Sequence, residues 1–206
     1  MKLYYLPGAC SLSPHIVLRE AGLPVELSKV TFSAEGRTTD DGEDFFQVNP
    51  RGGYVPACRL DDGEVLIEGP AIIQYLADQA PEKQLTPERG ERAYYEMLSW
   101  IAFVSSELHK GFSPLFGSPS EDEKARIIER LQKRLAYVDS ALLGKDYLLG
   151  DAFSIADAYL YTIARWAPNF GIALSDYPNL AAFAKRMEGR AAVATALTEE
   201  GLKPLA

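Results

Sequence analysis

The sequence predicts an α/β domain followed by an all-α domain, and three observations predict it. Strand and helix signals alternate over residues 1–80, two prolines interrupt the chain in the aperiodic stretch 81–87, and from residue 88 to 206 the apolar residues recur at helical spacing. Residues 81–87 therefore read as the linker between the two domains.

In the first domain, Lys2 to Leu6 is a short apolar and aromatic run that reads as a strand. Ser13-Pro14 then reads as an N-cap with proline at the first helical position, opening a helix that ends at Gly22-Leu23-Pro24. A second strand follows at about Val25 to Val30. Two strands joined by a helix of this length run parallel, since such a crossover is right-handed and returns to the same sheet. Ser33 to Glu43 is polar and aperiodic and reads as a loop, with one short turn at Asp44 to Val48. Pro56 to Leu60 and Glu64 to Ile67 flank Asp61-Asp62-Gly63, the turn chemistry of an antiparallel hairpin, and Gly69-Pro70 opens a helix reaching Gln79. A β-α-β half followed by a β-β-α half on one small mixed sheet is the thioredoxin-like arrangement.

In the second domain, Tyr94, Met97, Leu98, Ile101, Val104 and Leu108 define one buried helical face. Similar periodicity runs through Ile127 to Leu142, Ile155 to Trp166 and Pro178 to Met187, giving a bundle of about five helices. Ser154 stands three residues before Asp157 at the head of an apolar helix, with Phe153 where a hydrophobic staple would sit, so this motif is a folding signal.

Composition narrows the function. The 206 residues are 47% apolar and 24% charged, a globular balance, and the formal net charge of -8 leaves little basic surface for tracking phosphates, so nucleic acid is not expected as a partner. No run of about 18 apolar residues offers a membrane span, and the first residues lack the pattern of an export signal, so a cytoplasmic protein with no membrane partner is expected. Cys10 and Cys58 are the only cysteines and there are two His, too few for a disulfide framework or a zinc site. No metal is expected.

Cys10 follows Pro7-Gly8-Ala9 in the turn between the first strand and first helix. Amides and the positive end of the helix dipole should favour its thiolate there and depress its pKa below the ~8.5 of a free thiol, with Ser11 and Ser13 as further donors. The competing reading is a small cysteine that only packs. Residue 13 is Ser, so no C-x-x-C pair exists for dithiol cycling. Glu68-Gly69-Pro70 ends a strand and starts a helix, so its amides suit a ligand carboxylate and Glu68 suits a ligand ammonium; an ordinary helix cap beside an exposed acid is the alternative. Val55-Pro56 opens a strand, where a cis proline turns the backbone of Val55 towards a peptide ligand. On a helical wheel His109 joins Ser99, Ala102, Ser106 and Ser113 on a second stripe, which suits either a cleft or a satisfied structural histidine. His15 reads as packing or interface.

These residues resemble the bacterial beta-class glutathione S-transferases. Tyr4-Tyr5, Pro7-Gly8-Ala9-Cys10-Ser11 and Pro14-His15 resemble the family's opening motif. Asn49-Pro50, Val55-Pro56-Ala57, Leu60-Asp61-Asp62-Gly63 and Glu68-Gly69-Pro70-Ala71 resemble its glutathione-binding half. Ser106 to Phe112, Leu149-Gly150-Asp151 and Ser154 to Asp157 resemble its helical signatures, so the likeness covers nearly the whole chain. The resemblance implies a homodimeric detoxification enzyme that transfers the thiolate of glutathione, its co-substrate, to a small hydrophobic soft electrophile. It places Cys10, Ser11 and His109 at the catalytic centre, and Tyr54, Val55, Pro56, Glu68, Gly69, Ser106 and Lys110 around glutathione. It departs at Ala102, where the family often has Asn. A mixed disulfide on Cys10 would instead give a glutathione-dependent thiol-disulfide reductase or reductive dehalogenase. A non-catalytic binding adaptor on the same fold is the alternative of another class.

Overall fold

The computed structural model describes residues 1–34 and 36–205, and the described chain divides into two compact units: Met1–Leu85 with Arg190–Pro204, and Thr86–Gly189 with Leu205. The change at Leu85 falls inside the expected linker. The helical domain expected over 88–206 is cut short, because helix α9 (Ala191–Glu199) packs on helix α1 (Leu12–Ala21) of the first unit.

In the first unit, strands β1 (Lys2–Tyr5) and β2 (Glu26–Ser33) run parallel on either side of α1, with Leu3 opposite Leu27. β1 also pairs antiparallel with β4 (Ala57–Arg59), which forms the expected hairpin with β5 (Val65–Ile67). The loop expected over Ser33 to Glu43 contains a further strand, β3 (Gly36–Thr39), antiparallel to β2 with Val30 opposite Thr39. Thr38 and Thr39 suit a pleated edge, and β2 supplies the partner that polar composition alone does not reveal. The sheet order is β3-β2-β1-β4-β5. Leu3 and Tyr4 are both fully buried and point to opposite faces, as alternation along a strand requires. Tyr4, Val30, Phe45, Val48, Val55 and Ala57 form one apolar cluster, to which helix α2 (Phe45–Val48) contributes. Helix α3 (Gly69–Asp78) packs on α1 through buried Ile72, Ile73 and Leu76.

α1 begins at Leu12, ahead of the Ser13-Pro14 start that its proline suggests. Ser13 is buried and its hydroxyl makes no hydrogen bond among the described residues, so it does not cap the helix.

The second unit opens with α4 (Arg92–Phe103), which widens into a π-helical stretch over Val104–His109 and resumes as α5 (Lys110–Phe112). Met97, Ile101, Val104 and Leu108 are buried, as their spacing predicts. A Cβ on Gly111 would stand 2.9 Å from Leu131 Cδ2, so this glycine lets α5 approach α6 (Glu121–Ala141) closely. α7 (Ile155–Ala164) is buried at every residue and forms the centre of the unit, and α8 (Pro178–Glu188) packs against it and α6. The capping box is present: Asp157 Oδ2 accepts from the Ser154 amide and hydroxyl, each at 2.8 Å, and Oδ1 accepts from the Leu148 amide at 2.8 Å.

Candidate active site

The end of β1, the start of β4 and the end of β5 lie along one edge of the sheet, because β4 runs opposite to β1 and β5 opposite to β4. Cys10, Val55-Pro56 and Glu68-Gly69 occupy that edge.

The turn after β1 is built by local bonds. Gly8 has φ 73°, a backbone region that favours glycine, and the Ala9 amide donates to the Leu6 carbonyl at 3.0 Å. Ser11 Oγ accepts from the Leu6 amide at 3.1 Å and donates to the Leu6 carbonyl at 3.2 Å, and its side chain is fully buried. The donor role expected of Ser11 is therefore taken up by the turn itself. Cys10 remains half-buried, and its thiol donates to the Val55 carbonyl at 3.3 Å.

Val55-Pro56 is a cis peptide bond, as its place before β4 suggests. The loop leading to it is pinned by Asn49, whose Nδ2 donates to the Tyr54 carbonyl at 2.7 Å and whose Oδ1 accepts from the Arg51 amide at 3.1 Å. Arg37 Nη1 donates to the carbonyls of Gly52 and Gly53, and its guanidinium lies 4.7 Å from the Tyr54 ring centre. Tyr54 thus has its carbonyl engaged and its ring at the surface, 64% exposed. Val55 is the residue of this pair that presents its backbone to the thiol. Neither Asn49 nor Arg37 stood out as a site residue in the sequence; Asn49-Pro50 was the one available signal, and Arg37 sits in the strand that reads as loop.

Glu68 has φ 72° without being glycine, an uncommon backbone state at the junction of β5 and α3. Its side chain is exposed and caps nothing. The Ala71 and Ile72 amides fold back on the Glu68 carbonyl at 2.9 and 3.0 Å, and Pro70 has no amide hydrogen. Only the Gly69 amide of this first turn is left for a ligand, fewer than the sequence promised. A Cβ on Gly69 would stand 3.6 Å from Pro56 Cγ, so the start of α3 lies beside the cis proline.

The remaining expected residues belong to the second unit. Ser106 is exposed and its hydroxyl donates to the Ala102 carbonyl at 3.0 Å. Lys110 is exposed and lines a groove of about 430 Å³ with Ser106, Glu107, Gly111, Arg130 and Arg134. His109 leaves the stripe expected for it: Ser99, Ala102, Ser106 and Ser113 are exposed, whereas His109 is half-buried. The π-helical stretch adds residues to the turn and rotates everything after it, which regular spacing does not foresee. His109 Nδ1 lies 2.8 Å from the Tyr159 hydroxyl, and the imidazole meets the Trp166 ring edge-on at 5.2 Å. Burial, helped by the neighbouring Lys110 charge, pulls its pKa down to about 4, so the ring is neutral at pH 7. Phe112, Phe116 and Phe170 continue this aromatic wall around Trp166, with Phe116 58% exposed.

Cys58 is fully buried in β4, and burial pushes its thiol up to about 11. Burial thus disfavours the thiolate of Cys58, whereas Cys10 is only half-buried. No group of three or more metal-ligating side chains occurs among the described residues.

Residues 8–79 match the N-terminal domain of glutathione S-transferases and residues 103–191 match the C-terminal domain. The glutathione S-transferase GstA of Escherichia coli O157:H7 is 45% identical over 98% of this chain and 100% of its own length. The chain belongs to the glutathione S-transferase family. Its structure is similar to that of a sphingomonad glutathione S-transferase complexed with glutathione, 47% identical, with a TM-score of 0.92 over 98% of this chain and 100% of that one. A bacterial beta-class glutathione S-transferase of Sphingomonas chungbukensis is 43% identical, with a TM-score of 0.93 over the same shares. The beta-class resemblance, the two-part fold and the transferase function read from the motifs are borne out by these matches. No helix among the described residues of this transferase is long and apolar enough to cross a membrane.

Proposed function

We propose that glutathione lies along the sheet edge of the first unit, its sulfur beside Cys10, its cysteinyl backbone on Val55 and its γ-glutamyl end at Glu68-Gly69. The observation that carries this reading is the gathering of the Cys10 thiol 3.3 Å from the Val55 carbonyl and of cis-Pro56 against Gly69. The edge thus offers, in order, a place for a sulfur, an extended peptide and a charged amino-acid end. The related sphingomonad enzyme holds glutathione on the same fold. The bound thiolate then attacks a soft electrophile: the carbon–sulfur bond forms as the leaving group departs with its electron pair. The second unit carries an aromatic wall of Phe112, Phe116, Trp166 and Phe170, an apolar surface of the kind that binds small hydrophobic molecules. His109, Ser106 and Lys110, which the resemblance also implies, lie in the second unit, where the neutral His109 is paired with Tyr159.

The accessible Cys10 thiol favours a second activity. Cys10 thiolate attacks one sulfur of a glutathione disulfide, a Cys10–glutathione disulfide forms, and the other half leaves as a thiolate. The protein works in the cytoplasm as a homodimer in detoxification; the exposed Tyr95 and Tyr137 on α4 and α6 support self-association.

Calorimetric titration with glutathione tests the placement. Glu68→Ala should weaken binding by about tenfold, the loss of a charge-assisted hydrogen bond to the ligand ammonium. Unchanged affinity in that variant would remove Glu68 from the site.

A further inference from the structure

The segment Arg190–Pro204 belongs to the first unit, and it reaches the turn that carries Cys10. Glu199 and Glu200, at the end of α9, grip the two nitrogens of one fully buried imidazole: His15 Nε2 lies 2.7 Å from Glu199 Oε2, and Nδ1 lies 2.9 Å from Glu200 Oε1. Arg19 forks onto Glu199 from one turn further along α1, at 2.8 and 2.9 Å. The other oxygen of Glu200 does something different. Glu200 Oε2 accepts from the Gly8 amide at 2.9 Å, two residues before Cys10. Leu202 closes over the same glycine, with Cδ2 3.5 Å from where a Gly8 Cβ would stand.

A carboxylate with a fully buried side chain is costly unless every lone pair has a donor, and apolar contact alone would serve stability better. What Glu200 adds is direction, because an oxygen acceptor held on an amide fixes the orientation of that peptide unit. We propose that Glu200 is a positioning residue for the thiol turn: by holding the Gly8 amide it sets where Cys10 Sγ and the adjoining backbone meet the glutathione sulfur. His15 and Arg19 hold the carboxylates in place behind it. This inference rests on the glutathione site proposed above.

Four variants separate positioning from stability, each assayed at a temperature where circular dichroism shows it folded. Glu200→Gln keeps an oxygen acceptor for Gly8 and puts an amide NH2 opposite His15 Nδ1 where the parent has a carboxylate oxygen; Glu200→Ala keeps neither contact. Glu200→Leu fills the space without an acceptor and serves if the alanine variant does not fold. Glu199→Gln disturbs the outer pair and leaves the Gly8 bond intact. The readouts are kcat and KM for glutathione with a chloro-nitroaromatic, and the rate of Cys10 alkylation by iodoacetamide without glutathione. Glu200→Ala and Glu200→Leu should raise KM for glutathione about tenfold with kcat changed less than about threefold, and should shift the alkylation rate several-fold. Glu200→Gln should stay within about twofold of the parent, and Glu199→Gln should lower Tm without moving KM. Parental KM and alkylation in the alanine and leucine variants, or a glutamine variant as impaired as they are, would overturn the proposal. A parent with no glutathione turnover would instead count against the proposed function, while alkylation still reads the turn.

Discussion

Cys10→Ala should abolish thiol transfer and leave conjugation within about tenfold of the parent enzyme, because the two reactions ask different things of residue 10. In thiol transfer the Cys10 sulfur itself forms and breaks a disulfide, and alanine has nothing to put in its place. In conjugation the nucleophile is the glutathione sulfur, held by the same sheet edge whose Val55 backbone and Gly69 amide survive the substitution. The Cys10 thiol donates to the Val55 carbonyl, so its removal also frees that carbonyl for the ligand. Paired assays on the variant, one with a glutathione mixed disulfide and one with a chloro-nitroaromatic, read the two losses separately. Equal loss of both would mean that Cys10 is needed to hold glutathione and not only to exchange with it.

Asp157→Ala should be the most destabilising single change in the second unit, lowering its apparent Tm by about 10 °C. Its carboxylate gathers the Leu148 amide, the Ser154 amide and the Ser154 hydroxyl at the head of the central buried helix. Alanine leaves three buried donors without an acceptor, each costing about 1–3 kcal/mol before relaxation, and removes the helix cap as well. The same group gives the unit a pH dependence. Burial outweighs these donors and pushes the Asp157 pKa from 3.8 up to about 6, so the folded chain holds a proton the unfolded chain releases, and this contribution to stability is lost as pH rises through 6. His109 runs the other way: burial lowers it from 6.5 to about 4, so its contribution is lost as pH falls below 6.5 towards 4. The two slopes oppose each other between pH 4 and 6. Asp157→Asn removes one of them, and urea denaturation of that variant should show stability falling more steeply from pH 6.5 to 4.5 than in the parent.

The elements legible in the sequence are those whose signals are local. Pro70 at a helix start, Asp61-Asp62-Gly63 between two apolar runs and Ser154 before Asp157 each carry their own geometry, and each stands where its chemistry implies. What was not legible depends on partners distant in sequence. β3 is polar and is a strand because β2 pairs with it. The π-helical turn at Val104–His109 leaves no mark on composition, yet it moves His109 from the exposed stripe to Tyr159. Ser11 looked like a donor to a sulfur, but the tight turn after β1 brings Leu6 back to its hydroxyl. α9 carries an ordinary apolar face, and only its partners in space, α1 and the His15 that Glu199 and Glu200 reach, show that it belongs to the first unit.

The most direct test of the glutathione site is to incubate the protein with oxidised glutathione at neutral pH and locate the adduct by mass spectrometry of its peptides. The accessible Cys10 at the proposed sulfur position and the buried Cys58, with its thiol raised to about 11, predict one glutathione per chain, attached to Cys10 and released by excess reduced glutathione. An adduct on Cys58 with Cys10 unmodified would contradict that placement.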